Sequence, residues 1–293
     1  MPCAGPWSGF VRTHTPQRDH HKPNNGMCSL RLGLQASSRQ PSDRLAGGLM
    51  RYDEGDTTTS ATPKVGIVAA LEREVWPFIK TWPTIHKEYG GCSFKFFEKE
   101  HLVVVCGGIG SAPARKATEA VINLYHPALV ISAGFAGALD PRLPAGHTLI
   151  PRHVVDVGDG SRTDSGNGEA VLISFDTIAD VEQKAKLAKA FGAHAIDMEA
   201  AAVARAAQAH GINFLACKVI SDPADSRLPP LARFIGQDGR FHALNFIAYV
   251  AVRPGLWASM RRLIRDSAIA ARNLGELLAK TSNRRVPLSD EAL

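Results

Sequence analysis

The sequence has few cysteines and no long apolar run, and both absences exclude classes of protein. Five cysteines in 293 residues, with no Cys-x-x-Cys pair, argue against a disulfide framework or a zinc site and favour a reducing, cytoplasmic compartment. No apolar stretch approaches the roughly 18 residues of a membrane-spanning helix. With 26 glycines and 18 prolines, the chain has too little of either for a collagen-like or wholly disordered protein.

The excess of positive charge lies mostly at the amino-terminal end. The chain carries 34 basic and 28 acidic side chains, a net charge of +6. Residues 1–49 hold six of the basic side chains and only two of the acidic ones, so the remainder is close to neutral. A basic balance of this kind describes a tail rather than a nucleic-acid-binding surface, and we expect no nucleic-acid partner.

Both ends of the chain are predicted to be tails. Residues 1–62 are rich in Pro, Gly, Ser, Asn and Arg and have no apolar periodicity, which is typical of a disordered segment. They lack the apolar stretch of a signal peptide. Alternatively, the segment reflects an upstream start codon, with Met50 as the true start. The sequence therefore predicts a basic tail over 1–62, a catalytic domain over 63–282 and a second tail over 283–293.

Strand and helix patterns alternate from residue 64 onward. Strands are predicted at 65–70, 101–106, 128–133, 147–157, 171–175 and 213–221, with a loop at 158–170. Helices are predicted at 72–81, at 111–125 with Ser111 as cap, at 181–191, over an Ala-rich run to His210, and within 231–280. This alternation predicts a single three-layer α/β/α domain with a central mixed sheet.

Three carboxylates stand where predicted strands end. Glu74 follows the first strand, Glu199 opens the Ala-rich helix and Asp222 follows the last strand. If the sheet brings these ends together, one acid can protonate a leaving group, another can orient water and the third can bind substrate hydroxyls, which suits cleavage of a glycosidic bond. Each acid also has a plainer interpretation, as a first-turn helix residue or a turn residue.

Five segments carry a family resemblance. In chain order they are 64–75 (KVGIVAALEREV), 107–110 (GGIG), 132–140 with 143–146 (SAGFAGALD and LPAG), 196–202 (IDMEAAA) and 219–222 (VISD). These segments resemble, in the same order, motifs of the nucleoside phosphorylase superfamily. Among its branches the methylthioadenosine/S-adenosylhomocysteine nucleosidases are the most similar. The expected activity is release of the free base, adenine, from a 5′-substituted purine nucleoside.

The resemblance implies a role for each candidate site residue. Asp222 would protonate N7 of the purine, with Ser221 orienting it. Glu199 would bind the ribose hydroxyls, Met198 would pack on the sugar, and Glu74 would position or activate water. The further substrate-binding candidates are Ala70, Gly108, Gly134, Phe135 and Phe175. The resemblance implies no cofactor and no metal, with phosphate as an alternative co-substrate.

Two departures from the family pattern bear on the nucleophile. Ser132 and Phe135 stand where phosphate-using purine enzymes carry an arginine and a serine around the glycine of the third strand. The bidentate arginine clamp for phosphate is therefore absent at that position. Gly107 or Gly108 replaces the first serine of the nucleosidase SGIG turn. We expect hydrolysis, with phosphorolysis as the alternative.

Two further segments of the chain indicate which 5′ substituent the substrate carries. The segment between Asp156 and Ile196 is shorter than in typical methylthioadenosine nucleosidases, which implies a more open 5′ side. Residues 221–230 and 253–256 resemble the hopanoid-associated phosphorylases, which implies a lipid-linked substrate such as adenosylhopane. Methylthioadenosine or S-adenosylhomocysteine is the alternative substrate.

The carboxy-terminal helix allows two interpretations. Apolar residues recur at helical spacing from Leu256 to Leu278, while Arg261, Arg262 and Arg265 lie mainly off that stripe. The helix either packs on the core with a solvated basic face or rests on an anionic membrane. A homodimer is expected from the resemblance, in the cytoplasm or peripheral to a membrane. The competing non-enzyme hypothesis is a nucleoside- or nucleic-acid-binding protein that uses its basic ends.

Overall fold

The computed structural model describes residues 62–166, 168–236 and 238–282. The chain divides into two units, Met1–Thr57 and Thr58–Leu293, and all described residues lie in the second. Apart from residue 62, both predicted tails lie outside the described residues, so the domain boundaries stay predictions.

Within the described residues, eleven strands form one mixed sheet, in the order β2-β3-β4-β1-β5-β10-β9-β7-β8, with β11 pairing β5 and β6. The strands are β1 Val65–Ala69, β2 Thr84–Tyr89, β3 Cys92–Lys99, β4 Leu102–Cys106, β5 Leu129–Ala138, β6 Thr148–Leu149, β7 His153–Asp156, β8 Arg162–Asp164, β9 Val171–Ser174, β10 Ala195–Asp197 and β11 Asn213–Asp222. The helices are α1 Glu72–Ile79, α2 Ser111–Tyr125, α3 Val181–Phe191, α4 Ala200–Ala209, α5 Ala243–Ala251 and α6 Trp257–Ser282, with short 3-10 turns at Leu231–Phe234 and Pro254–Leu256.

Helices cover both faces of the sheet because its central strands are apolar on both sides. Strand β1 is buried at every position. On one face, α2 and α4 pack with strand residues such as Val103 and Val130. On the other face, Val75 of α1 and Leu274 of α6 belong to a second buried cluster with Ile67. The predicted three-layer α/β/α architecture with a mixed sheet is therefore confirmed.

The arrangement around β5 determines where the site forms. Strands β1 and β11 both pair with β5 in parallel, so their carboxyl ends meet at one edge. Strand β10 pairs with the end of β5 in the antiparallel sense, with Ile196 opposite Gly137. Asp222 is paired with Gly137 as well, across a register shift in β11. One glycine thus lies between the two segments that carry Glu199 and Asp222.

Several predicted boundaries were wrong. The strand predicted at 147–157 is two strands, because Pro151 lies between them and has no N–H for a ladder bond. The predicted loop at 158–170 contains β8, and the hairpin of β2 and β3 was not predicted. Gly110, with φ of 101°, occupies the cap position of α2, so Ser111 is the first helical residue and not the cap.

No helix among the described residues is both long and apolar enough to cross a membrane.

Candidate active site

A cavity of about 530 Å³ opens at the carboxyl ends of β1, β5 and β11. Its wall includes all the predicted site residues except Gly108, Gly134 and Phe175. Those that line it are Ala70, Glu74, Phe135, Met198, Glu199, Ser221 and Asp222. The three carboxylates, which lie far apart in sequence, therefore share one cavity, as the strand-end argument predicted.

The three other predicted residues lie beside the cavity lining. A Cβ on Gly134 would lie 3.1 Å from Oε2 of Glu74, so this glycine leaves room for the carboxylate. Gly108 has φ of 108° and donates its N–H to the carbonyl of Ala70 at 3.0 Å. Phe175 packs in a separate apolar cluster and donates its N–H to the carbonyl of Asp197 at 2.9 Å. Each of the three supports a wall residue or its neighbour.

Glu74 lies in the first turn of α1 and is almost completely buried, at 7% exposure. The Leu71 N–H lies 3.4 Å from its Oε2. Burial raises the pKa of Glu74 to about 7, although Lys218 and Arg73 act in the opposite direction. Near neutral pH this carboxyl therefore exists in both protonation states, which suits a group that takes up a proton.

Glu199 occupies the cap position of α4, where the strand β10 ends. Its Oε1 accepts the N–H of Gly110 at 2.8 Å, and its Oε2 accepts the N–H of Met198 at 3.2 Å. Burial raises the pKa of Glu199 to about 8, and the charge of Asp197 acts in the same direction. The carboxyl is thus held rigidly by two backbone groups and is mostly protonated at neutral pH.

A buried ion pair that sequence reasoning missed lies behind Glu74 and Glu199. Lys218, in the middle of β11, is 1% exposed, and its Nζ lies 2.8 Å from Oδ2 of Asp197. It also donates to the hydroxyl of Ser132 at 3.0 Å. Burial acts to lower the pKa of Lys218, but Asp197, Glu199 and Glu74 together raise it above its usual value. A lone lysine within an apolar strand was the available signal.

Asp197 is itself fixed by two further groups, one of which is held in turn by α4. Its Oδ1 accepts the hydroxyl of Ser174 at 2.6 Å, and its Oδ2 accepts the N–H of Ala200 at 2.9 Å. The Ser174 hydroxyl oxygen accepts the N–H of Ala201 at 2.9 Å. Asp197 therefore ties the start of α4 to β9 and β11 and sets the position of Glu199 two residues later.

Asp222 ends β11 and is 8% exposed. The Ser221 hydroxyl donates to its Oδ1 at 2.7 Å, as the predicted orienting role requires. Nζ of Lys184 lies 2.5 Å from its Oδ2 and also donates to the Pro223 carbonyl at 3.1 Å. Lys184 is 3% exposed and lines the cavity, and sequence reasoning missed it. On α3 it stands among other lysines, and spacing alone does not distinguish the one that faces inward.

The side of the cavity formed by residues after Asp222 is apolar. It is lined by Leu228, Leu231, Ile235, Phe241, Phe246, Ile247, Met260, Leu263 and Ile264. Ile247 and Ile264 are also 61% and 62% exposed, so they lie where the cavity meets solvent. The cavity therefore joins a polar end with three carboxylates to an apolar, open end.

The polar end offers donors and acceptors but no evident metal-binding set. Among the residues that the structure describes, no group of three or more His, Cys, Asp and Glu side chains is placed to hold a metal ion. The expectation that no cofactor is needed stays a prediction.

Known proteins support the fold and the family. A model of the phosphorylase superfamily matches residues 64–180 and 171–236 of the chain. A 5′-methylthioadenosine/S-adenosylhomocysteine nucleosidase from Treponema pallidum is 27% identical over 218 residues, which covers 55% of this chain and 81% of the relative. This match confirms the prediction of a nucleosidase-like enzyme.

Two solved structures from Helicobacter pylori show the same fold. Its 5′-methylthioadenosine/S-adenosylhomocysteine nucleosidase has a TM-score of 0.58 at 18% identity, covering 76% of this chain and 99% of that chain. Its futalosine hydrolase has a TM-score of 0.56 at 19% identity, covering 76% and 98%. With the family match over residues 64–236, the five ordered motifs and the confirmed architecture, the chain belongs to the phosphorylase superfamily.

Proposed function

We propose that this protein cleaves the N-glycosidic bond of a 5′-substituted adenine nucleoside and releases the free base. The observation that carries the proposal is the presence of Glu74, Glu199 and Asp222 on the wall of one cavity. Departure of a purine leaves positive charge on the sugar and negative charge on the base. Carboxyl groups placed around both can stabilise the first and protonate the second.

Each carboxyl group has a distinct task. Asp222, held by Ser221, protonates N7 of the leaving base. Glu199 binds the ribose hydroxyls, and the developing sugar cation favours its carboxylate form. Glu74, with a pKa of about 7, is suited to remove the proton from the attacking water.

Water is the nucleophile that fits the polar end of the cavity best. The cation nearest to Glu74 on β11 is Lys218, and its charge is already matched by Asp197. Ser132, at the position of the absent arginine, accepts a hydrogen bond from the same lysine. A phosphate dianion beside Glu74 and Glu199 would lie next to two carboxyl groups, without an arginine clamp at the position of Ser132. We therefore propose hydrolysis, with phosphorolysis as the alternative.

The apolar end of the cavity supports a bulky apolar 5′ substituent. We propose a lipid-linked adenine nucleoside of the adenosylhopane type, with methylthioadenosine or S-adenosylhomocysteine as the alternative. Exposed Ile247 and Ile264 at the cavity mouth would lie against the part of the lipid that leaves the protein. A methylthio group would cover only a small part of this wall.

Exposed apolar side chains on α5, just after it and at the start of α6 support contact with a membrane surface. Leu244, Val252 and Trp257 are 82%, 73% and 49% exposed, and Arg261 follows one turn after Trp257. Aromatic and aliphatic side chains next to arginines are typical of surfaces that rest on anionic lipid. A lipid-linked nucleoside could then reach the cavity without crossing water.

The homodimer also stays a proposal, which light scattering would test.

The test is incubation of the protein with adenosine, methylthioadenosine and an adenosyl-lipid in vesicles, each with and without phosphate. Mass analysis of the sugar product distinguishes a free sugar from a sugar phosphate. Free adenine is expected with each susceptible substrate. The same assay on a chain that begins at Met50 addresses the binding-protein alternative, because activity should survive removal of the basic tail. Loss of all binding with an inert core would favour that alternative instead.

A further inference from the structure

Both oxygens of Asp222 already accept hydrogen bonds. Oδ1 accepts the hydroxyl of Ser221 at 2.7 Å, and Oδ2 accepts the ammonium group of Lys184 at 2.5 Å. Lys184 and Asp222 thus form a buried ion pair, and a carboxylate in such a pair only accepts hydrogen bonds. Asp222 needs a proton source before it can protonate a leaving base.

Lys184 is the group that holds such a proton. Its ammonium carries three N–H bonds, of which one points to Asp222 and one to the Pro223 carbonyl at 3.1 Å. The side chain is 3% exposed and lines the same cavity as Asp222. A Cβ on Gly137 would lie 3.3 Å from Cε of Lys184 and 3.1 Å from Oδ2 of Asp222, so a glycine leaves room for the pair.

We propose that Lys184 supplies the proton that Asp222 delivers to the departing base. As the C1′–N bond breaks, its electron pair moves to the base. The O–H bond of Asp222 breaks as an N–H bond forms on the base, and an N–H bond of Lys184 breaks as the O–H bond of Asp222 is formed. Lys184 becomes neutral and regains a proton from water after product release. This inference rests on the proposed base release and adds a proton-supplying residue to it.

A simpler role for Lys184 makes a different prediction. If the ammonium only holds Asp222 in place, a neutral side chain that donates a hydrogen bond should serve as well. Glutamine has nearly the length of lysine and donates through its amide, but it has no proton to transfer at neutral pH. The variant Lys184→Gln therefore separates proton supply from positioning.

The experiment measures kcat and KM for adenine release from adenosine, methylthioadenosine and an adenosyl-lipid in vesicles, and uses the substrate that the unsubstituted protein cleaves fastest. Variants Lys184→Gln and Lys184→Met should each lose roughly 10²–10⁴-fold in kcat, the range of a general acid, with little change in KM. The double variant Lys184→Gln/Asp222→Asn should be no slower than Asp222→Asn alone, because the two groups act in one step. Lys186→Met, on the same helix with a side chain that is 73% exposed, is the matched control and should keep full activity.

Three results would overturn the inference. They are wild-type kcat in Lys184→Gln, wild-type kcat in Lys184→Met, and losses that multiply in the double variant. Thermal unfolding of each variant checks that it is folded. If Lys184→Met does not fold, Lys184→Gln alone provides the comparison. Absence of base release by the unsubstituted protein would instead contradict the proposed function.

Discussion

Nζ of Lys218 lies 2.8 Å from a carboxylate oxygen of Asp197, and both side chains are almost completely shielded from solvent. The pair joins β11 to β10 across the end of β5. The charge of Lys218 also acts to lower the pKa of Glu74 and of Glu199. One ammonium group therefore offsets part of the repulsion among three acidic side chains in one buried region. The cavity that the three carboxylates share is thus built on this buried ion pair.

Removing Lys218 should lower the stability of the protein and change the pKa of Glu74. In Lys218→Met the buried Asp197 loses its partner, and breaking a buried pair in this way costs about 3–5 kcal/mol. The pKa of Glu74 should rise further above 7, because Lys218 acts to lower it. Urea unfolding measures the first effect. Lys189→Met, on the surface helix α3, is the control, and equal stability of the two variants would contradict this account.

Glu74 should make the protein less stable as pH rises. Its folded-state pKa of about 7 lies above its ordinary value of 4.5, so between these values the folded protein binds more protons than the unfolded chain. Its contribution to the free energy of unfolding should therefore fall across this interval, by up to about 3 kcal/mol. Glu74→Gln removes the titration and should be the more stable protein at about pH 8.

Urea unfolding of the two proteins at several pH values measures this difference. Glu182→Gln, whose side chain is 78% exposed, is the control and should show the same pH dependence as the unsubstituted protein. The account of Glu74 would be wrong if Glu74→Gln and the unsubstituted protein kept a constant stability difference across the interval.

The convergence of the carboxylates could be predicted from the sequence because strand ends of an α/β sheet meet at one edge. The motif around Glu199 and the Ser221-Asp222 pair predicted which residues bind the ribose and protonate the base. The extension of β5 to Ala138 could not be predicted, because Gly134 and Gly137 resemble a turn. Both lie within the strand, paired with β11, and a Cβ on either would lie 3.1 Å from a carboxylate oxygen of Glu74 or Asp222.

The two buried lysines show where sequence reasoning ends. Lys218 meets Asp197 only because β10 and β11 both flank β5. Lys184 meets Asp222 only because α3 lies over that edge. The edge strand β2 is likewise polar and mostly exposed, so no alternation marked it, and pairing with β3 decides its structure.

Glu199→Gln should slow cleavage of ribonucleosides more than of 2′-deoxyribonucleosides. Hydrogen bonds to a charged group contribute about 1.5–3 kcal/mol, which corresponds to roughly 10- to 100-fold in rate. A 2′-deoxyribose lacks one of the hydroxyls, so its cleavage loses fewer hydrogen bonds to Glu199 in the variant. The ratio of kcat/KM for adenosine and 2′-deoxyadenosine measures this. Equal losses on both substrates would remove Glu199 from the ribose site.

Cleavage of an adenosyl-lipid should depend on vesicles, and methylthioadenosine should be a poor substrate. Each buried methylene contributes about 0.8 kcal/mol, so a pocket shaped for a bulky apolar group gains little from a methylthio group. Arg261→Glu should weaken co-sedimentation with anionic vesicles and leave adenosine cleavage unchanged. Arg262 and Arg265 are poorer choices for charge reversal, because both pair with the buried Asp266.

Leu244→Asp is a second variant that should weaken vesicle binding. The side chain of Leu244 is 82% exposed and does not line the cavity, so the substitution should leave adenosine cleavage unchanged. Efficient cleavage of methylthioadenosine without any vesicle binding would contradict the lipid-linked substrate and leave the soluble nucleosides as substrates.

The most direct test of the central claim is base release in heavy-oxygen water by the unsubstituted protein and by Asp222→Asn. Methylthioadenosine, adenosine and the adenosyl-lipid are supplied, and adenine and the sugar are followed by mass spectrometry. The account predicts free adenine, a sugar with one heavy oxygen at its anomeric carbon, and a roughly 10²–10⁴-fold lower rate for folded Asp222→Asn. No adenine from any of the three substrates, or an undiminished rate in Asp222→Asn, would contradict it.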